Sequence, residues 1–177
     1  MPFNFNREAP NVPTDPRALR RLERLLELEE FEEVAVAGVP GVPRYLVTYM
    51  NSQTGGRIRS ATVVSVTNQS AQTNLVSVSY FKGLTDNTSP VCVTSFPIPP
   101  DFTVDFGSRN LPGELTFCNS VCNPELVFDE GRAIVSSRRP EIGVSSRVYY
   151  TAGEQDSELL SITDSKIVAF GRGNRGD

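Results

Sequence analysis

The stretch LVSVSYF at residues 75–81 decides the fold class, because apolar and small polar side chains alternate along it. Val76, Val78 and Tyr80 occupy every second position, and serines separate them. Successive side chains of a β-strand point to opposite sides, so this alternation is typical of a strand with one face in a core. Valine and tyrosine are also favoured in strands. The stretch therefore predicts a β-strand.

Similar segments, separated by turn-forming residues, follow one another through most of the chain. They are residues 44–50, 58–67, 75–81, 91–98, 102–106, 114–117, 125–128, 132–137, 141–151 and 159–170, the last being one bent strand or two. No helical pattern separates them, which excludes parallel βαβ units. The sequence predicts a mainly β protein, an antiparallel two-sheet β-sandwich of Ig-like or jelly-roll type. A closed small barrel is the alternative.

Composition divides the chain into three parts. Residues 1–43 form an N-terminal arm and helix, residues 44–170 the β-sandwich, and residues 171–177 a tail of glycine and arginine. The first 15 residues hold prolines and asparagines that favour no regular element. Residues 16–34 predict one amphipathic helix, with Pro16 at its first position and a Gly/Pro cluster after its end.

Two features of this helix suggest an interaction. One is a stripe of leucines at helical spacing: Leu19, Leu22, Leu25 and Leu26. The other is a division of charge, with Arg20 and Arg24 in the basic first half and Glu27 and Glu30 in the acidic second half. The helix macrodipole disfavours this order. It would suit an antiparallel copy of the helix, basic half against acidic half. In the other interpretation, the helix covers its own sandwich. These eight residues are the predicted interaction residues.

The composition excludes several kinds of chemistry. The 177 residues include no histidine, which removes Ser-His-Asp and Cys-His catalysis and histidine-bound metal. A net charge of −4 argues against a general nucleic-acid binder. The tail GRGNRG at 171–176 matches the spacing of a dinucleotide-binding loop, but no helical sequence follows it. We expect no enzyme activity, no cofactor and no metal.

Cysteines and carboxylates give no stronger signal. Cys118 and Cys122 could close a short disulfide, but without histidine or a second cysteine pair they make no zinc site. With no secretory signal visible, reduced thiols are expected, and Cys92 is expected to be a small buried residue. The acidic residues near strand ends are interpreted as turn formers rather than a catalytic pair: Asp101, Asp105, Asp129 and Glu130, the last two in a turn before Gly131.

The start of the chain also bears on localisation. The opening residues MPFNFNREAP lack a basic start followed by an apolar stretch, and no run of about 20 apolar residues follows. The expectation is synthesis in the cytoplasm without a signal peptide and no membrane insertion, with membership of a particle or virion as an option.

The order of features between Ala61 and Ile162 resembles a family of bacterial β-sandwich domains, the sensory rhodopsin transducer type. TVVSVTN at 62–68 leads to the strand at 76–81 and then to FPIPPDFTV at 96–104. SSRRPEIGV at 136–144 is similar to the family's S-x-x-P-I-V-V. The resemblance implies an oligomeric, non-catalytic binding domain. Residues 1–43 and an insertion near Cys118–Cys122 depart from it, so it implies a fold and no functional residue.

Two functions remain. The first is a structural or assembly protein, a sandwich that self-associates or decorates a larger particle, like a capsid-decoration or appendage subunit, through its arm and helix. Its partners would be copies of itself or a larger assembly. The second is a ligand- or receptor-binding adaptor of the sensory rhodopsin transducer type.

Overall fold

A computed structural model describes residues 41–83, 89–112, 120–122, 125–126 and 128–170. The predicted arm and helix, up to residue 40, and the tail after residue 170 lie outside this part. A 3-10 helix spans Glu154–Asp156, and the strands are β1 Arg44–Ser52, β2 Arg59–Asn68, β3 Asn74–Lys82, β4 Cys92–Ile98, β5 Thr103–Gly107, β6 Ser120–Val121, β7 Phe128–Ser137, β8 Ile142–Ala152, β9 Glu158–Asp164 and β10 Ile167–Phe170.

The strands form two five-stranded sheets. Sheet A has the order β10-β1-β7-β3-β4, and sheet B has the order β6-β5-β2-β8-β9. Neighbouring strands are antiparallel except for the short parallel pair β5–β6. The predicted antiparallel two-sheet architecture is confirmed, and the described strands do not close into the alternative barrel.

The core lies between the two sheets. Val76, Val78 and Tyr80 of β3 are all fully buried there, as their alternation predicted, and they face Val64 and Val66 of β2. The Tyr80 hydroxyl donates a hydrogen bond to the Phe106 carbonyl of β5 at 2.8 Å. Since β3 and β5 belong to different sheets, this bond ties the sheets together while satisfying the one polar atom of the tyrosine ring.

In β1 the predicted alternation of buried and exposed side chains is wrong after Val47. The sequence places Val47 and Tyr49 on one side and Met50 on the other, but Met50 is fully buried and Tyr49 is 42% exposed. The cause is a β-bulge, because the pairing with β7 shifts register between Val47 and Met50. An extra residue in one strand turns the following side chains to the opposite face. Outside the core, a hydrogen bond with Tyr150, together with partial burial, raises the pKa of Tyr49.

The two sheets are joined along both sides. On one side the chain leaves β9 of sheet B and enters β10 of sheet A after two residues, so the predicted bent segment is two strands. On the other side Cys92 of β4 forms a disulfide with Cys122, which follows β6. The expectation of reduced thiols and the possible Cys118–Cys122 bridge are therefore corrected, and Cys118 lies outside the described residues. The two cysteines are 30 residues apart in sequence, and they meet because the edges of the two sheets lie side by side. Spacing along the chain could not predict this disulfide.

Candidate assembly surface

One edge of sheet B is formed by β9, which in the described structure pairs with β8 alone. All seven residues of β9 are exposed. Three of them are large and apolar: Leu159, Leu160 and Ile162 are 42%, 45% and 47% exposed. An edge strand also presents unpaired backbone N–H and C=O groups that can accept another strand. We call this strand, with its three apolar side chains, the β9 edge.

One apolar residue of the β9 edge extends a small buried cluster. Ile162 lies opposite Tyr149 of β8 in the strand pairing. Tyr149 is 2% exposed and packs with Ala61, Val63 and Leu111 on the side of sheet B that faces away from the core. The exposed isoleucine therefore lies beside an apolar surface that is already rigid, and a partner strand would cover both.

The turn that leads into β9 is fixed by a buried carboxylate. Asp156 accepts two parallel bonds from Arg109, Nη1 to Oδ2 at 2.7 Å and Nη2 to Oδ1 at 3.0 Å. Thr151 donates to Oδ1 at 2.5 Å, and Nε of Arg59 lies 3.2 Å from the same oxygen. Arg59 also donates to the Gly153 carbonyl. The paired side chains of Asp156 and Arg109 are only 9% and 4% exposed. We call these four side chains the Asp156 cluster.

The charges of this cluster change how Asp156 titrates. Burial alone would raise the pKa of Asp156, but hydrogen bonds from Arg109 and Thr151 and the charges of Arg109 and Arg59 outweigh it. Its pKa is lowered as a result. The carboxylate therefore stays charged at neutral pH, which its partners require.

The same cluster holds a strained backbone. Gln155 and Asp156 have φ angles of 52° and 60°, in the left-handed region that non-glycine residues rarely adopt. Each such residue costs on the order of 1 kcal/mol. Arg109 also donates from Nε to the Ser60 carbonyl at 2.7 Å, which anchors the guanidinium on β2. These bonds offset the strain and fix the start of β9 against sheet B.

The sequence analysis did not find this surface. The eight predicted interaction residues lie outside the described residues: Leu19, Leu22, Leu25, Leu26, Arg20, Arg24, Glu27 and Glu30. Arg109 and Asp156 are 47 positions apart, so no spacing signal connects them. A signal did exist for the β9 edge, since the adjacent Leu159 and Leu160 break the alternation expected of a half-buried strand.

The other candidate carboxylates do not converge on one site. Asp101 is an exposed turn residue with a φ of 61°, and its backbone N–H donates to the Asn68 carbonyl at 2.9 Å. Asp105 lies within β5, where its Oδ1 accepts a bond from the Ser65 hydroxyl at 2.6 Å. Asp129 and Glu130 lie in β7, so their predicted place in a turn is wrong. In the described part of the chain no three acidic or cysteine side chains are grouped to hold a metal ion.

None of the helical segments within the described residues has the length and apolar character needed to cross a membrane. No protein-family model matches the chain, and no curated protein matches it. Among solved structures, the chain is similar to the crystal structure of Thermotoga maritima 1070, with 13% sequence identity over 72% of this chain and 96% of that chain and a TM-score of 0.42.

Proposed function

We propose that this chain is a non-catalytic structural subunit that self-associates or decorates a larger particle, and that the β9 edge is one of its contacts. The observation that carries the proposal is the exposure of Leu159, Leu160 and Ile162 on a strand whose outer edge no described strand covers. The predicted N-terminal arm, residues 1–15, would supply a further contact. An Ig-like or jelly-roll classification of the sandwich remains part of this proposal.

The chemistry of β9 supports this role. Monomeric β-proteins protect edge strands with central charges, prolines, bulges or a covering segment. β9 has one of these devices, a bulge at Leu160 where its pairing with β8 shifts register. Its only charges stand at its two ends, Glu158 and Asp164, and three of the five residues between them are apolar. Strand addition to such an edge forms backbone hydrogen bonds and buries the alternate side chains. The Asp156 cluster already fixes the start of the strand, so binding requires little further ordering.

The charges also predict how two copies would meet. In an antiparallel pair centred on Ser161, Leu160 would lie opposite Ile162 of the other copy, and Glu158 opposite Asp164. Like charges directly opposite each other weaken a strand pair. Arg147 of β8 is the strand-pair neighbour of Asp164, but its Nη2 donates to the Ser65 hydroxyl at 3.5 Å rather than forming an ion pair with this acid. Repulsion between Glu158 and Asp164 of the other copy therefore weakens this dimer. Replacing Glu158 with a basic residue would turn that repulsion into attraction.

Light scattering of the full chain over a range of concentrations tests the proposal. We expect a dimer or larger closed oligomer, and Leu160→Lys should shift it to monomer because a charge would have to be buried in the pair. Ser145→Lys is the matched control, since Ser145 is exposed on β8 away from this edge. Glu158→Lys should lower the dimer Kd several-fold by replacing repulsion with attraction. A monomeric intact chain, or an unchanged mass for Leu160→Lys, would refute self-association through β9.

The second function, a ligand- or receptor-binding adaptor of the sensory rhodopsin transducer type, predicts a different result. The intact chain would keep its mass in all three variants, and a ligand would raise its melting temperature. The same set of proteins therefore separates the two proposals.

A further inference from the structure

A second surface, separate from the β9 edge, is the side of sheet A that faces away from sheet B. Its side chains alternate with the core residues along each strand. One row of neighbours crosses all five strands: Val168, Leu46, Ile134, Ser79 and Val93. Leu75, Ser77 and Phe81 lie on the same side of β3, and Ser136 on the same side of β7. We call these nine residues the outer face of sheet A.

Much of this face is buried, although no described element packs against it. Leu75 and Phe81 are each 4% exposed, yet they belong to neither apolar cluster of the sandwich. Ser77, Ser79 and Ser136 are 1%, 0% and 1% exposed, and their hydroxyl oxygens have no hydrogen-bond partner among the described residues. Buried polar groups in proteins are nearly always paired. A covering segment would account for the burial of this face.

We propose that residues 16–34 of the same chain lie as a helix across the outer face of sheet A, with the leucine stripe against it. The stripe is Leu19, Leu22, Leu25 and Leu26. The burial of the face within a single chain favours a segment of that chain over a second copy. Residues 16–34 form the longest stretch outside the described residues that is predicted to be both helical and amphipathic.

The dimensions fit this arrangement. Nineteen residues make a helix of about 28 Å at ~1.5 Å per residue. Five strands about 4.8 Å apart span roughly 19 Å, so the helix is long enough to cross all of sheet A. The nine residues 35–43 connect it to β1 and can reach up to about 30 Å. Since β1 is the second strand of sheet A, every part of the face is within that reach.

The shape and charge of the face fit as well. The three serines lie at its centre, where small side chains allow a helix to approach closely. Arg44 stacks over the Phe170 ring at 4.7 Å, and Arg132 over the Phe81 ring at 4.6 Å, which places two cations on this side of the sheet. β7 also carries Glu130, two positions before Arg132. The acidic second half of the helix is the half nearest to Arg44 in sequence.

This inference goes beyond the proposed function, because it assigns the helix to its own sandwich. The assembly contacts are then the β9 edge and the arm of residues 1–15. Either proposal can fail alone. Substitutions at β9 change the mass of the particle, and substitutions in the leucine stripe change the accessibility of sheet A.

Thiol labelling of the full chain tests the inference. Ser79→Cys, made in a Cys118→Ser background, places a reporter at the centre of the face, and its maleimide labelling should be slow. Adding Leu22→Asp and Leu25→Asp should speed labelling at least tenfold. Leu28→Asp, which lies off the stripe, is the matched control, and a separate Ser145→Cys reporter should label equally fast in every background. Equal rates for the Ser79→Cys reporter with and without the stripe substitutions would overturn the inference.

A second measurement covers the case in which the stripe variant does not fold. Leu28→Cys, which lies off the stripe, and Val93→Cys, which is 37% exposed at the rim of the face, are combined in the Cys118→Ser background with the stripe leucines intact, and a short bifunctional maleimide is added. We expect mass spectrometry of the denatured protein to show the monomer mass plus a single linker attached to both thiols. A dimer-mass product would show that the helix belongs to a second copy, and no product would show that the helix does not lie there. Both results would contradict the proposal.

Discussion

Asp156→Asn is the substitution whose effect can be worked out most fully from the structure. The aspartate receives two parallel bonds from Arg109 and one from Thr151, in a site where its side chain is 9% exposed. An asparagine keeps one oxygen, but its NH₂ group would face an Arg109 N–H, donor against donor. The substitution also leaves the guanidinium buried without its counter-charge. Breaking one member of a buried ion pair typically costs about 3–5 kcal/mol.

We expect Asp156→Asn to lower the free energy of unfolding by about 3 kcal/mol, the lower end of this range, because asparagine still accepts one bond. For a domain of this size, that corresponds to a fall in Tm of about 10 °C. Urea unfolding followed by circular dichroism is the assay. Glu154→Gln is the matched control, because Glu154 is an exposed acid in the same 3-10 helix. If Asp156→Asn and Glu154→Gln unfold at the same urea concentration, the cluster contributes nothing to stability and the reasoning is wrong.

The pH dependence gives this prediction a second, independent check. The folded-state pKa of Asp156 is lowered, so it lies below the unfolded value of about 3.9. The stabilisation is therefore fully present well above that unfolded value and is lost as the pH falls through the folded pKa. The stability difference between wild type and Asp156→Asn should be constant near neutral pH and should shrink in strong acid. A difference that grows on acidification would contradict the assigned cause.

Three further predictions concern the fold. Cys122→Ser should lower the free energy of unfolding by about 3–4 kcal/mol under oxidising conditions, since the bond closes a loop with a sequence separation of 30 residues. Cys118→Ser should leave the Cys92–Cys122 disulfide intact, and a Cys118–Cys122 bond found by peptide mapping would contradict the structure. Met50→Ala should lower the free energy of unfolding by about 2–5 kcal/mol. Tyr49→Ala should lower it by less, because Tyr49 is 42% exposed, and the opposite order in urea unfolding would refute the bulge in β1.

Alternation along single strands predicted most of the sandwich. Val76, Val78 and Tyr80 were assigned to the core because strand periodicity is local, and the structure confirms them. Prediction from alternation failed where the position of a side chain depends on the pairing between two strands. The bulge that buries Met50 arises in the pairing of β1 with β7, and the partner of Cys122 is set by where the edges of two sheets meet. Neither the bulge nor the disulfide pairing can be predicted from the sequence of a single strand.

The candidate contact surface was less predictable for the same reason. Arg109, Arg59 and Asp156 come from three separate segments that adjoin only after the sheets form. Sequence reasoning placed the interaction on the predicted helix, whose amphipathic pattern is visible within 19 residues. An exposed edge depends instead on which strand has a neighbour, and that is a property of sheet order. Leu159 and Leu160 gave only a hint, because two adjacent leucines fit a buried strand as well as an exposed one.

The way the sandwich is closed explains why β9, rather than another edge, is the candidate contact. At the β4 and β6 edges the Cys92–Cys122 bond ties the two sheets together. At the opposite side the crossover is clamped to both sheets, with Ser165 N–H donating to the Ser146 carbonyl and Thr48 N–H to the Lys166 carbonyl. β9 is therefore held at both ends, at its start by the Asp156 cluster and at its end by this crossover. A rigid apolar edge is costly for a monomer to keep exposed, and pairing with another chain would remove that cost.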